Sequence, residues 1–137
     1  MRIIKSVVDE NVVLAIIMGL NDFKEGVHFH GDKSEFIQVL TFKRKRDFVG
    51  RNHRHIKRPR EITKTQEVLT VLEGSCEIRV FDVDDTHIFT GVLNRGDFSI
   101  SYYGGTGYTV LSEETCMMEA KIGPYEVESD DEDRVLI

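Results

Sequence analysis

Nine short segments rich in β-branched and aromatic residues follow one another from residue 12 to residue 122, separated by turn residues. They cover residues 12–18, 36–43, 47–55, 67–72, 76–83, 87–93, 97–102, 108–112 and 116–122. Runs this short, this closely spaced, predict an all-β sandwich or barrel. "CEIRVFD" shows why: Cys76, Ile78 and Val80 alternate with Glu77 and Arg79, giving one apolar and one polar strand face. "LEGS" and "VDDTH" supply turns before and after it. "VVLAIIMGL", residues 12–20, is apolar throughout and reads as a buried strand. It is far too short to cross a bilayer, and no small-residue cleavage site follows it. A short helical turn is expected near residues 21–25, and "VHFH" puts His28 and His30 on one face of a possible edge strand.

With 137 residues, 40% of them apolar and 31% charged, the chain reads as one soluble domain spanning residues 1–137. Cys76 and Cys116 sit in apolar stretches without ligand spacing, so both are expected to be buried free thiols. No targeting segment is evident, and the expected location is cytoplasmic. The acidic stretch at residues 126–133 is expected to be disordered, with "RVLI" after it docking on the body or on a partner chain.

The net charge of -6 conceals an asymmetry. Residues 43–64 hold ten of the eighteen Lys and Arg but only two acids, Asp47 and Glu61. Such a run can focus an anionic ligand such as a diphosphate, or it can be a solvated strand and loop facing acids elsewhere. Nucleic acid is not the expected partner, because aromatic residues are sparse in the run and the whole chain is acidic.

Inside this run lies "GRNHRH". On a strand, residues i and i+2 share a face, so His53 and His55 are expected to point inward and Arg54 away. Glu67 then opens "EVLTVLEG", and "NRGDFSISYYGGTGYTV" gives a Gly-Asp turn, a strand and a glycine-rich turn. This order resembles the cupin superfamily. Gly50, His53, His55, Glu67 and Gly74 match its first motif, and Gly96, Asp97 and Gly104 match the frame of its second. Two departures stand out. Eleven residues separate His55 from Glu67 where three or four are usual, and Thr106 or Gly107 stands where the second motif has a histidine. The resemblance covers roughly residues 36–123. "REITKTQEVLTVLEGSCEIRVFD", "GGTGY" and "MEAKIGPYE" are also similar to small cupins of bacterial surface-polysaccharide gene sets.

The resemblance implies a double-stranded β-helix, the jelly-roll architecture, assembled as a homodimer. It also implies a nucleotide-sugar isomerase or epimerase. His53 or His55 would act as base and Tyr102 or Tyr108 as acid. Arg51, Arg58 and Arg60 would meet the diphosphate. Glu67, Tyr103 and Thr106 would complete the substrate contacts. No cofactor is expected. The alternative is a divalent transition metal on His53, His55 and Glu67, which would make the chain a metal-dependent enzyme such as a small-molecule oxygenase. A third reading is a non-catalytic sugar- or effector-binding module. The expected partners are a nucleotide sugar or another anionic small molecule and a second copy of the chain, with neither membrane nor nucleic acid.

Overall fold

The computed structural model describes residues 1–123 and 135–137, and its secondary structure is almost entirely β. The acidic stretch at 126–133 lies outside the described residues. The strands are β1 (Arg2–Lys5), β2 (Val13–Met18), β3 (Gly26–His30), β4 (Val39–Lys43), β5 (Glu67–Glu73), β6 (Ser75–Phe81), β7 (His87–Asn94), β8 (Phe98–Ser101), β9 (Gly105–Val110) and β10 (Cys116–Lys121). A single 3-10 turn, Leu20–Asp22, falls where a helical turn is expected.

Two antiparallel sheets carry the architecture. The larger has the order β1-β2-β8-β5-β10 and the smaller the order β7-β6-β9. The hairpin β3-β4 shares a backbone ladder with neither. No closed barrel forms among the described residues.

The larger sheet is covered on both faces. On its outer face, Ile16, Met18, Phe98, Ile100 and Tyr102 pack with Phe23, Ile37 and Val39 from the hairpin side. Towards the smaller sheet, Leu14 and Ala15 meet Val80, and Val71 meets Cys76, Ile78 and Leu93. This explains why residues 13–18 show no polar alternation: a strand buried on both faces reads as a continuous apolar run. Leu20, expected in the same buried strand, instead opens the 3-10 turn and is exposed. Each fully buried Leu, Ile or Met contributes about 1.5–3 kcal/mol relative to exposure.

Strand β2 carries a bulge. Ile4 pairs with Ala15 while Lys5 pairs with Val13, so Leu14 is the extra residue. Leu14 and Ala15 therefore both turn towards the smaller sheet, each with no exposed surface. The Leu14 carbonyl, freed from regular pairing, accepts the N–H groups of Tyr102 (2.8 Å) and Tyr103 (3.3 Å) just after β8 ends.

A second tie joins the N-terminal strands to the smaller sheet. Asp82 is buried directly after β6. Its carboxylate accepts the backbone N–H groups of Val7 (2.6 Å), Val8 (3.4 Å) and Val83 (2.7 Å). Burial works to raise its pKa, but these bonds and one from Ser6 outweigh it and hold the carboxyl below its ordinary value.

Four sequence expectations need correction. Residues 47–55 form no strand: residues 42–63 are all exposed, and 49–63 are irregular backbone. The run has charged or polar residues at both parities and no apolar face to bury, so pairing would gain little. Residues 36–38 precede β4 instead of belonging to it. The strand expected at 108–112 begins earlier, at Gly105. Finally, both cysteines are free, but only Cys76 is buried; Cys116 is exposed beside the register shift that opens β10. Among the described residues no helix is long and apolar enough to cross a membrane.

Two stability outcomes follow from these contacts. Ser99 faces the space between the sheets with its hydroxyl buried and without a hydrogen-bond partner among the described residues. An unsatisfied buried hydroxyl costs roughly 1–3 kcal/mol, so Ser99→Ala should raise the urea midpoint; a fall would show that the hydroxyl is satisfied. Asp82, with its folded pKa depressed, contributes stability above its unfolded value near 3.8, and that stability is lost as pH falls through the folded value. Asp82→Asn should therefore destabilise the protein near neutral pH, and the gap to wild type should shrink in urea titrations at about pH 3.

Candidate functional site

The register of the larger sheet assembles one row across four strands: Ala15, Ser101, Glu67 and Lys121. Ser101 is small, and β9 begins Gly105-Thr106-Gly107 on the facing sheet. Small residues on both sides leave a cavity of about 720 Å³ between the sheets. Glu67, Ser101, Tyr103, Arg79, Lys121 and Thr106 line it, and Asp82 and Asp85 sit at one side.

Across the gap, the Thr106 hydroxyl donates to Glu67 Oε1 at 2.8 Å. The two positions are 39 residues apart in sequence, and each belongs to a different half of the motif frame. The turn before β9 makes the approach possible. Gly104 has φ +69°, and a Cβ there would lie 2.1 Å from the Phe81 carbonyl oxygen. Gly104→Ala should cost roughly 2 kcal/mol or more, through strain in the left-handed region plus that clash. Urea unfolding measures it, and a neutral result would mean that the turn has another conformation.

Arg79 is held at the cavity wall before any ligand arrives. Its guanidinium donates to Glu77 Oε1 (3.0 Å), Thr109 Oγ1 (2.7 Å) and the Tyr108 carbonyl (3.2 Å). A fork fixed in this way loses little side-chain freedom on meeting an anion.

Beside the cavity lies a polar knot absent from the sequence reading. Lys64 Nζ is 2.6 Å from Glu35 Oε2 and 3.5 Å from the ring centroid of Tyr103. Burial pulls the Lys64 ammonium down, but its bonds to Glu35 and Tyr103 outweigh this and hold its pKa above the ordinary value. The buried Gln66 donates to the same Glu35 carboxylate and accepts the Ile37 N–H at 2.8 Å. These groups fasten the C-terminal end of the irregular segment, just before β5, to the loop between β3 and β4.

The structure thus brings Glu67, Tyr102, Tyr103 and Thr106 to the cavity wall, the Tyr102 hydroxyl being directed away to His30, and leaves the other sequence candidates elsewhere. Tyr102 is buried among Phe98 and Ile100, and its hydroxyl donates to the His30 carbonyl at 3.2 Å. Burial, with the Glu35 charge adding to it, pushes its pKa up to about 12. Tyr108 is exposed on β9. His53 and His55 remain neighbours, with ring centroids 5.2 Å apart, but both are exposed on the irregular segment and neither lines the cavity. His53 Nδ1 bonds the Arg51 carbonyl at 2.9 Å. Arg51, Arg58 and Arg60 lie on the same exposed segment. The expectation that the histidine pair faces inward is therefore not met.

Among the described residues no three His, Cys, Asp or Glu side chains converge as a metal site. Glu67, which would have completed the ligand set with His53 and His55, is engaged by Thr106 and lies apart from the two histidines. Sequence reasoning missed Arg79 and Lys121. Their signal was available once β5 and β6 had been assigned, since Lys121 is the cross-strand partner of Glu67 and Arg79 that of Gly107. Of the "RVLI" segment, Val135, Leu136 and Ile137 lie at the cavity, with Ile137 close to Gly105. No protein-family profile, curated protein or solved structure matches the chain.

Proposed function

We propose that the chain is a cupin-like, jelly-roll module that binds a polyhydroxylated anionic small molecule, of the nucleotide-sugar class, between its two sheets. The observation that carries this reading is the Glu67–Thr106 contact inside a cavity that also presents Arg79 and Lys121. A carboxylate accepts hydroxyl donors, and Thr106, Ser101 and Tyr103 can donate or accept, which suits a sugar ring. Arg79 suits the anionic part of the ligand, because guanidinium matches a phosphate or carboxylate through paired hydrogen bonds. A volume of about 720 Å³ falls within the usual span of small-molecule sites. The exposed cations of residues 43–60 would raise the local concentration of such an anion.

Binding without turnover is favoured over the isomerase or epimerase reading. Proton abstraction needs a base within hydrogen-bond reach of the substrate. The motif histidines lie outside the cavity, Tyr102 has its hydroxyl committed elsewhere, and the one carboxylate between the sheets on β5, Glu67, already accepts the Thr106 hydroxyl.

Calorimetry against UDP-, dTDP-, GDP- and CDP-sugars and the free sugars tests the proposal. At least one nucleotide sugar should bind. Hydrogen bonds to a charged group are worth roughly 1.5–3 kcal/mol, so Glu67→Gln should weaken binding about tenfold or more. Thr106→Val should weaken it as well. Absence of binding across the panel, or binding indifferent to both substitutions, would refute the proposal. Solvent-deuterium incorporation into the sugar, abolished by His53→Ala or His55→Ala, would instead make the chain an enzyme.

A further inference from the structure

The outer face of the larger sheet carries a second concavity, separated from the first by the sheet itself. It measures about 420 Å³ and lies where the β3-β4 hairpin and the 3-10 turn overhang β5 and the β7-β8 turn. Its walls are apolar: Leu20, Phe23, Val39, Val68, Leu72 and Phe98. The Thr41 hydroxyl on its lining is already bonded to His30 Nε2 at 2.8 Å. The lone charged side chain on this lining is Arg95, which is exposed and has no hydrogen bond, ion pair or ring contact among the described residues.

An apolar concavity with one unpartnered cation at its rim has a definite chemical complement. The occupant needs an apolar body to displace water from the walls and a single anionic head for the guanidinium. A polyhydroxylated ligand would lose its own hydrogen bonds in such a cleft without replacing them. A cavity near 150 Å³ holds a benzene ring, so about 420 Å³ has room for a medium-length alkyl chain or a bicyclic ring system. The hairpin that roofs the cleft shares no backbone ladder with either sheet, so it can adjust to the occupant without breaking a sheet hydrogen bond.

We infer that this cleft binds a small amphipathic monocarboxylate, its chain or ring beneath the hairpin and its carboxylate on Arg95. The site is independent of the inter-sheet cavity, on whose occupant it does not rest.

A titration of isotope-labelled protein with hexanoate, octanoate and octanol, followed by amide NMR, tests the inference. Octanoate should shift the amides of Leu40, Thr70 and Gly96. Each added methylene that is buried should strengthen binding by about fourfold. Arg95→Gln should weaken octanoate about tenfold and leave octanol unchanged. Thr70→Phe, which fills the cleft from β5, should abolish both. Val39→Phe fills it from the hairpin and replaces that variant if Thr70→Phe does not fold. Equal affinity for octanoate and octanol in the wild type, indifference to Arg95→Gln, or shifts confined to other amides would overturn the inference. So would concentration-dependent self-association that shifts the same amides without ligand, since a second copy would then be the occupant.

Discussion

Burial of the five-stranded sheet on both faces is the constraint on which the rest of this molecule depends. Strands β2 and β8, at its centre, have almost no solvent exposure; β2 divides its side chains between two separate apolar clusters, and β8 gives Phe98 and Ile100 to the outer one and turns its two serines towards the smaller sheet. The smaller sheet covers one face and the hairpin with its flanking loop covers the other. Loss of either cover would expose apolar surface on one whole side, at about 25 cal/mol for each Å² returned to water. The three layers are therefore held by one strand pair, and each concavity marks a place where a cover meets the central sheet incompletely.

That arrangement gives β5 two duties. Its odd positions, beginning with Glu67, face the smaller sheet and the polar cavity. Its even positions, Val68 and Thr70, face the hairpin and the apolar cleft. Period-two geometry thus separates a charged environment from an apolar one across the thickness of a single sheet. The charged side is stabilised by pairing: Glu67 has Thr106 as donor, and Asp82 is saturated by backbone N–H groups. The apolar side carries Arg95 at its edge, where water still solvates it.

Most strands were legible because burial leaves a local trace. Cys76, Ile78 and Val80 alternate because one face of β6 is core, and residues 13–18 do not alternate because β2 has no solvent face. The hairpin strand β3 was visible only as "VHFH", and β1 not at all, since Ile4 alone of its four residues is buried. The error at residues 47–55 has a physical origin. His-x-His spacing fixes a shared side only if a neighbouring strand supplies the ladder, and here none does. Tyr103 and Thr106 could be placed because they flank the Gly104–Gly105 turn, and Glu67 because it opens an apolar run that ends in a glycine turn at Gly74. The knot of Glu35, Lys64 and Gln66 could not, because it joins segments about thirty residues apart through contacts that leave no periodicity.

The bulge at Leu14 has a consequence for which length changes this fold can absorb. Its carbonyl receives the two N–H groups that begin the turn towards Thr106, so the count of residues between Ile4 and Met18 sets how far that turn projects over Glu67. Removing the extra residue would restore a regular β1-β2 ladder and at the same time withdraw the acceptor from Tyr102 and Tyr103. The irregular segment at 49–63 is under no such restriction: it pairs with no strand, and lengthening a flexible connection costs only about 0.6 kcal/mol per doubling. Insertions and deletions should therefore accumulate in the basic segment during divergence, while the N-terminal strands, remote in sequence from the cavity, keep a fixed length on its behalf.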